Sequence, residues 1–109
     1  MRTLLRVTMD VMAGNNAIKN GSLARIMKAT MDRLQPEASY FLPIDGCRAC
    51  LMVFDLKDPA MIPSISEPFF LELNAKVEMC PVMNADDLRE GLALFDKAMH
   101  EEEPAEMHA

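Results

Sequence analysis

Two cysteines in the segment DGCRACLMVFD are the residues of this chain whose spacing most suggests chemistry. Cys47 and Cys50 form a C-x-x-C, the spacing of redox-active dithiols and of zinc-binding knuckles. A redox pair places its first cysteine at a helix N-terminus, whereas residues 51–54 continue an apolar run that is typical of a strand. Side chains three positions apart in a strand point to opposite faces, so these sulfurs could neither pair nor share a metal. Cys80 stands alone, so it cannot supply a second pair of ligands. We therefore predict a structural role for Cys47 and Cys50 and no metal site. The alternative is that Cys47 lies in the preceding turn and not in the strand.

The two histidines give a second, weaker indication of a metal. His100 and His108 lie eight residues apart in or beside the acidic end of the chain. Two exposed histidines rarely suffice for a metal site. We expect no metal and no cofactor, and the lack of a histidine in the predicted core argues against His-activated nucleophiles and against haem ligation by histidine.

Length and charge exclude several classes of protein. The chain has 109 residues, half of them apolar, and a net charge of −6, of which the last ten residues supply four acidic groups and no basic one. We predict one domain over residues 1–99 and a flexible acidic tail over residues 100–109. The sequence has no basic patch of the kind that binds nucleic acid, so we expect no nucleic-acid partner. No apolar run approaches the roughly 18 residues of a membrane span, so we expect no membrane partner.

The N-terminal segment predicts a strand and not a signal peptide. Arg6, Thr8 and Asp10 interrupt its apolar residues at alternate positions, whereas a signal peptide needs about 7–15 continuous apolar residues. We therefore expect a cytoplasmic protein whose three cysteines are reduced.

Periodicity then places the elements. Residues 2–10 alternate as a strand, residues 13–21 indicate a loop or an irregular helical start, and Ser22 should cap an amphipathic helix that Pro36 terminates. Residues 37–42 and 47–56 form two strands joined by a turn that ends in Asp-Gly. Met61, Ile62, Ile65, Phe69 and Phe70 are the residues we expect to be buried in two short helical turns, since Pro63 and Pro68 should prevent a longer helix.

The last two elements complete a known arrangement. Residues 74–82 alternate as a fourth strand, and Asn84 should cap a final helix whose apolar stripe is Leu88, Leu92, Phe95 and Met99. The order β-α-β-β-α-β-α begins with the split β-α-β unit, so we predict an α+β, ferredoxin-like chain with a four-stranded antiparallel sheet and a C-terminal helix.

The predicted third strand is apolar on both faces, which implies a partner. Ala49, Leu51 and Val53 point one way, and Cys50, Met52 and Phe54 the other. Helices of a ferredoxin-like chain cover one face of the sheet only, so the other face needs a separate cover. The simplest solution is a homodimer, or a higher assembly, with sheets packed face to face around a partly polar cavity.

The segment LMVFDLKDPAMIPSISEPFFLELNAKVEMCPV resembles the second half of dimeric α/β-barrel proteins. In muconolactone-isomerase-like members an apolar strand ending in VFD is likewise followed by a helix, a proline-containing turn with aromatics and a last strand. The segments QPEASYF, EPFFLELNAKVE and CPVMNADDL are similar to a family of small uncharacterised bacterial proteins of the same superfamily. The resemblance implies a dimeric barrel with a pocket on the sheet face, used for isomerase or cofactor-free oxygenase chemistry or for binding alone.

The residues that we assign to this pocket follow from that implied position. The ligand-binding candidates are Arg6, Thr8, Tyr40, Arg48, Met52, Phe54 and Glu78, for a small organic molecule that is aromatic or bears a carboxylate. Glu78, Tyr40 and Glu67 are the candidate catalytic residues, since a buried carboxyl or phenol could move a proton.

Each assignment has an alternative that the residues leave open. Arg6, Lys76 and Glu78 could form ordinary cross-strand ion pairs, and Glu67 could cap the backbone of the next turn. The dimer could also be a structural or interaction protein without ligand or enzymatic activity. A cavity of about 300 Å³ or more, lined by convergent polar groups, would favour ligand binding.

Overall fold

A computed structural model describes the backbone of residues 1–108 and the side chains of residues 1–101. The elements, in chain order, are β1 (Arg2–Met9), α1 (Val11–Lys19), α2 (Ser22–Leu34), β2 (Ala38–Ile44), β3 (Cys47–Asp55), a 3₁₀ turn (Pro59–Met61), α3 (Ile62–Leu73), β4 (Ala75–Pro81) and α4 (Ala85–His108). The chain is therefore an α+β protein, as the periodicity predicted.

The four strands form one antiparallel sheet in the order β2-β3-β1-β4. In the register of the sheet Leu5 lies opposite Met52 on one side and Met79 on the other. This arrangement is compatible with a ferredoxin-like fold, in which the two central strands are covered by helices on one face.

Alternation along the strands decides which side chains form the core. Leu5, Val7 and Met9 of β1 are buried, and Met52 and Phe54 of β3 lie beside them. Helices α1, α2 and α3 cover this face and contribute Ala17, Ile26, Leu34, Ile65, Phe69 and Leu73 to the same cluster. Among the described residues, the helices that pack on the sheet lie on this face, and we call the other face the open face.

Helix α1 decides between the loop and the irregular helical start that the sequence left open for residues 13–21. Asp10 caps it by accepting a hydrogen bond from the backbone amide of Ala13 at 2.8 Å. Gly14 and Ala17 are buried, so the small residues that suggested a loop instead allow close packing of the helix. Helix α2 begins at Ser22 as expected, but Gly21 occupies the cap position and Ser22 is the first helical residue.

Helix α3 corrects the prediction of two short turns. Asp58 caps the 3₁₀ turn, and a continuous 12-residue helix follows with Pro63 in its first turn and Pro68 inside it. A proline in the first turn loses no helical hydrogen bond, which is why Pro63 does not prevent the helix. Of the five residues expected to be buried, Ile65 and Phe69 are, Met61 is partly buried, and Ile62 and Phe70 are exposed.

The hairpin and α4 agree with the turn and cap signals in the sequence. Asp45 and Gly46 both have positive φ and form the turn of the β2–β3 hairpin. Asn84 accepts from the backbone of Asp87 at 2.8 Å, and Asp87 accepts from the backbone of Asn84 at 3.1 Å, which begins α4 with a reciprocal cap. The helical backbone continues to His108, and the side chains of the predicted tail beyond Glu101 lie outside the described residues.

Candidate functional site

The register of the sheet aligns four of the open-face side chains in one row. Tyr40 of β2 lies opposite Leu51 of β3, Leu51 opposite Arg6 of β1, and Arg6 opposite Glu78 of β4. Neighbouring strands are about 4.8 Å apart, so Tyr40 and Arg6 stand about 10 Å apart across Leu51. The predicted site residues Tyr40, Arg6 and Glu78 thus lie in one row, with the apolar Leu51 between Tyr40 and Arg6.

Arg6 is the most unusual polar group of this row. Its side chain is 39% exposed, yet its Nε is buried and has no hydrogen-bond partner within residues 1–101. The nearest carboxylate oxygen, Oε1 of Glu78, is 3.7 Å away, beyond hydrogen-bond distance. The cross-strand ion pair that the sequence left open is therefore present but loose, and it leaves a buried donor unsatisfied, which costs about 1–3 kcal/mol.

A cleft at one end of the open face contains Thr8. It has a volume of about 400 Å³, and its polar lining includes Thr8, Asp10, Asn74 and Lys76. Thr8 and Lys76 lie opposite each other in the register of β1 and β4. Because this cleft adjoins the row of Arg6, it can extend a ligand site along the sheet.

Met52 and Phe54 do not lie with these residues. Both are buried on the helix-covered face, with 0% and 1% of their surface exposed. They are one position out of phase with Leu51 and Val53, which are the β3 residues that point to the open face. The structure thus places these two predicted ligand-binding residues in the core and not at the open face.

Arg48 is also on the helix-covered side of the sheet. Its side chain packs over Gly14 of α1, and its Nη1 donates to the carbonyl of Val11 at 3.4 Å. A Cβ at Gly14 would lie 2.7 Å from Nη1 of Arg48, so the glycine allows this contact. Arg48 is therefore separated from Arg6 by the sheet.

Glu67 lies in the middle of α3 and is exposed. The continuous helix leaves no following turn for it to cap, and the helical layer separates it from the open face. This placement is at odds both with the capping role and with a catalytic role in a pocket on the sheet face.

The three cysteines are free thiols on different surfaces. Cys47 is the first residue of β3, and Cys50 is buried on the helix-covered face. Burial raises the pKa of the Cys50 thiol to about 11, and a backbone hydrogen bond from Val7 lowers it by a smaller amount. Cys80 is exposed on the open face. Within residues 1–101 no group of three or more His, Cys, Asp or Glu side chains is placed to hold a metal ion, while the side chain of His108 lies outside that range.

A second charged cluster fixes the end of the sheet at which β1 begins. Arg2 donates through Nε to Glu37 at 2.6 Å and through Nη1 to Asp87 at 2.8 Å. The hydrogen bond and charge of Glu37, followed by Asp87, raise the pKa of Arg2. Nearby, the N-terminal ammonium group donates to Asp55 and lowers the pKa of that carboxyl. These contacts hold β2, β3 and α4 together at one end.

Leu51 and Lys76 were missing from the predicted site although they belong to the same face. Strand alternation could have found both, because they share the open face with Arg6 and Glu78 once the pairing of strands is known. The sequence alone does not give that register, since the shift between β1 and β3 depends on tertiary packing.

No protein-family model, curated protein or solved structure matches the chain. The resemblance to dimeric α/β-barrel proteins therefore remains a prediction from the sequence. None of the helices in the described part of the chain combines the length and the apolar character that crossing a bilayer requires.

Proposed function

We propose that this protein is a homodimer whose sheets pack open face to open face, and that each open face binds a small organic carboxylate beside Arg6. The observation that carries the proposal is the buried Nε of Arg6, which has no hydrogen-bond partner among the described residues. A guanidinium group binds a carboxylate through two parallel hydrogen bonds, one of which would satisfy this donor. The dimer would be a member of the dimeric α/β-barrel class, and we place it in the cytoplasm, where Cys47, Cys50 and Cys80 stay reduced.

The composition of the open face supports a cover made by a second copy. Leu4, Leu51 and Val53 are only half-buried, and Tyr40 and Leu42 of the edge strand are exposed. A contiguous apolar surface of this kind marks an interface. Because Arg6, Lys76 and Glu78 lie along one side of the face, the apolar part can form the contact while the charged part lines a cavity.

The row of Tyr40, Leu51 and Arg6 supports an aromatic acid as the ligand. A carboxylate at Arg6 would place an aromatic ring over Leu51 and direct its far end toward Tyr40, whose backbone is about 10 Å from that of Arg6. The apolar centre and polar ends of this row are typical of small-molecule sites.

A catalytic form of the proposal assigns the proton transfer to Glu78 or Tyr40. Glu78 lies 3.7 Å from Nε of Arg6, so a ligand carboxylate on Arg6 would stand beside a base. Isomerisation needs no metal at this site. An oxygenation in which the bound substrate reacts directly with oxygen needs none either. Binding without reaction needs only Arg6 and the apolar row.

The structural dimer without a ligand is the second candidate, and the half-buried Leu4 and Val53 favour it. They lie in the same row as Ala38 and Cys80, away from Arg6, and could fill the whole contact between two copies. In that case Arg6 would bind a group of the partner subunit and not a ligand.

Binding of benzoate and 4-hydroxybenzoate by calorimetry separates the two candidates. We expect wild-type protein to bind one of them and Arg6→Gln to lose at least about tenfold in affinity, as for a lost charged hydrogen bond. Arg25→Gln is the matched control, because Arg25 pairs with Glu72 in the helical layer at 3.0 Å and should leave binding unchanged. A dimer that binds neither acid, or an Arg6→Gln variant that binds as well as wild type, contradicts the ligand site at Arg6.

A further inference from the structure

Helix α4 presents an apolar stripe that the described part of its own chain does not cover. Every residue from Leu88 to Glu101 is exposed. The stripe consists of Leu88, Leu92, Phe95 and Met99, which are between 48% and 61% exposed. Their spacing of four, three and four residues places them on one side of the helix, where such a surface marks a contact with another molecule.

The first turn of α4 fixes the direction in which the helix leaves the sheet. Asp87 accepts from Nη1 of Arg2 at 2.8 Å, and the backbone of Val82 donates to the carbonyl of Arg2 at 3.1 Å. The chain measures 67 Å along its longest axis and 27 and 24 Å across. A helix of 24 residues is about 36 Å long, so α4 extends away from the sheet as an arm.

Charge separates this arm from the remainder of the chain. Residues 85–109 contain eight of the 17 acidic residues and two of the 11 basic ones, whereas residues 1–84 contain nine of each. The whole net charge of −6 is therefore on the arm. Two arms side by side would repel each other, and the body of a second copy, whose net charge is zero, is the better acceptor.

One cleft of the body has the properties that such an acceptor needs. It has a volume of about 480 Å³, and it lies between the β2–β3 hairpin and the start of α1. Phe41 and Val11 form exposed apolar walls, and both are at least half exposed. Arg48 also lines it and makes no ion pair with an acidic side chain of residues 1–101. An aromatic residue followed by an acid, such as Phe95-Asp96, is complementary to this lining.

The position of the cleft matches the arm of a partner copy and not the arm of its own chain. The hairpin turn at Asp45 and Gly46 is at the opposite end of the sheet from Arg2, where α4 begins. Consider a face-to-face dimer whose twofold axis lies between the two sheets, parallel to them and perpendicular to the strands. Facing strands of the two copies then run in opposite directions. The start of each arm then lies at the hairpin end of the other copy, and the arm reaches the cleft, which Arg48 lines from the helix-covered side, by passing around the edge strand β2.

We propose that α4 is an exchanged arm that inserts its apolar stripe into the hairpin cleft of a second copy, with Phe95 between Val11 and Phe41 and the acidic flank of the helix beside Arg48. The proposal rests on the sheet-face dimer and specifies its direction. It also assigns Arg48 to the contact between copies and not to the ligand.

A disulfide to the native Cys47 tests this contact, because Cys47 lines the same cleft. In a Cys80→Ser background, Leu88→Cys, Leu92→Cys and Met99→Cys are introduced one at a time and oxidised. We expect at least one of them to give a covalent dimer on a non-reducing gel, with a peptide joining the new cysteine to Cys47. Leu94→Cys is the matched control, since Leu94 is exposed on a different side of the same helix and should not link.

A charge in the stripe provides the second variant. Leu92→Glu should weaken the dimer by about tenfold or more, whereas Leu94→Glu should change it by less than about twofold. Both positions are exposed in the single chain, so both variants should fold. Sedimentation equilibrium gives the two dissociation constants.

The possible failures can be distinguished. A dimeric wild type without a stripe–Cys47 link overturns the arm contact and leaves the sheet-face dimer intact. Links that persist in Cys47→Ser show arm-to-arm pairing and also overturn it. A wild type that is monomeric at tens of micromolar contradicts the sheet-face dimer and the arm contact together.

Discussion

Leu4 and Leu5 are neighbours in one strand and experience opposite environments. Leu5 is completely buried beneath the helices, whereas Leu4 is only half-buried on the open face. The same contrast separates Met52 from Leu51 in β3. The two faces have similar apolar residues at their centres, so composition alone does not distinguish them.

The difference between the faces is in what accompanies the apolar residues. Among the described residues, Thr3 and Ser66 are the buried polar residues of the helix-covered side, and the hydroxyl of Thr3 donates to the carbonyl of Met1. The open face combines its leucines and Val53 with Arg6, Lys76 and Glu78. A face that mixes apolar and charged residues is better suited to an interface with a polar cavity than to a protein core.

Truncation of the paired leucines gives the largest expected effect. Leu5→Ala should lower the free energy of unfolding by about 3 kcal/mol, because it leaves a cavity among packed neighbours. Leu4→Ala should cost about 1 kcal/mol or less in a dissociated monomer, and its further effect should depend on protein concentration. Urea unfolding at two protein concentrations measures both quantities.

Equal losses for the two leucines at low concentration would contradict the contrast between the faces. A Leu4→Ala variant whose stability is independent of concentration, while wild type shows a dependence, would place the dimer contact near Leu4.

The cysteines give an intermediate effect that depends on pH. Burial holds the pKa of Cys50 at about 11, above its ordinary value of 9.0. Between those values the unfolded chain loses the thiol proton and the folded chain keeps it, so stability is fully present below about pH 9 and falls as the pH rises. The decrease should be about 1.4 kcal/mol for each pH unit in this window.

The contribution of Cys50 is isolated by comparison with the exposed thiol of Cys80. Urea midpoints at pH 8.5, 9.5 and 10.5 should show a smaller decrease for Cys50→Ala than for wild type. Cys80→Ala should retain the wild-type decrease. Parallel pH profiles for all three proteins would show that the Cys50 thiol is ionised to the same extent in the folded and unfolded chains.

Loosening of the arm is the smallest effect that we expect. Arg2→Gln removes the charged contact to Asp87, and amide exchange in the first turn of α4 should accelerate by about three- to tenfold. Asp55→Asn is the matched control, since it removes the contact of the N-terminal ammonium group at the same end of the sheet without touching α4. Hydrogen exchange that is unchanged in Arg2→Gln would show that the reciprocal cap of Asn84 and Asp87 fixes the arm by itself.

Strong local signals in the sequence predicted most of the fold. The alternation of β1 and β4, the stripe of α2 and the Asp45-Gly46 turn are each determined by neighbouring residues, and the structure contains all of them. Helix α1 was left undecided against a loop because Gly14 and the asparagines disfavour a helix, while the contact of Gly14 with Arg48 comes from the tertiary structure.

The candidate site was predicted less completely, for a physical reason. Arg6, Tyr40 and Glu78 could be grouped by alternation, and the register places them in one row. Met52 and Phe54 were assigned to the same pocket although they alternate with Leu51, because an apolar strand does not show which of its faces the helices cover. That choice depends on the packing of α1, α2 and α3.

The mass of the protein in solution tests the central claim most directly. If a second copy covers the open face, light scattering at 10–50 µM (a range on the order of ordinary dimer affinities) should give twice the chain mass of 12.2 kDa. Val53→Glu should shift this value toward the mass of one chain, because it places a charge in the apolar part of the open face that forms the contact. A well-folded wild type with a mass of 12.2 kDa at these concentrations would contradict the account.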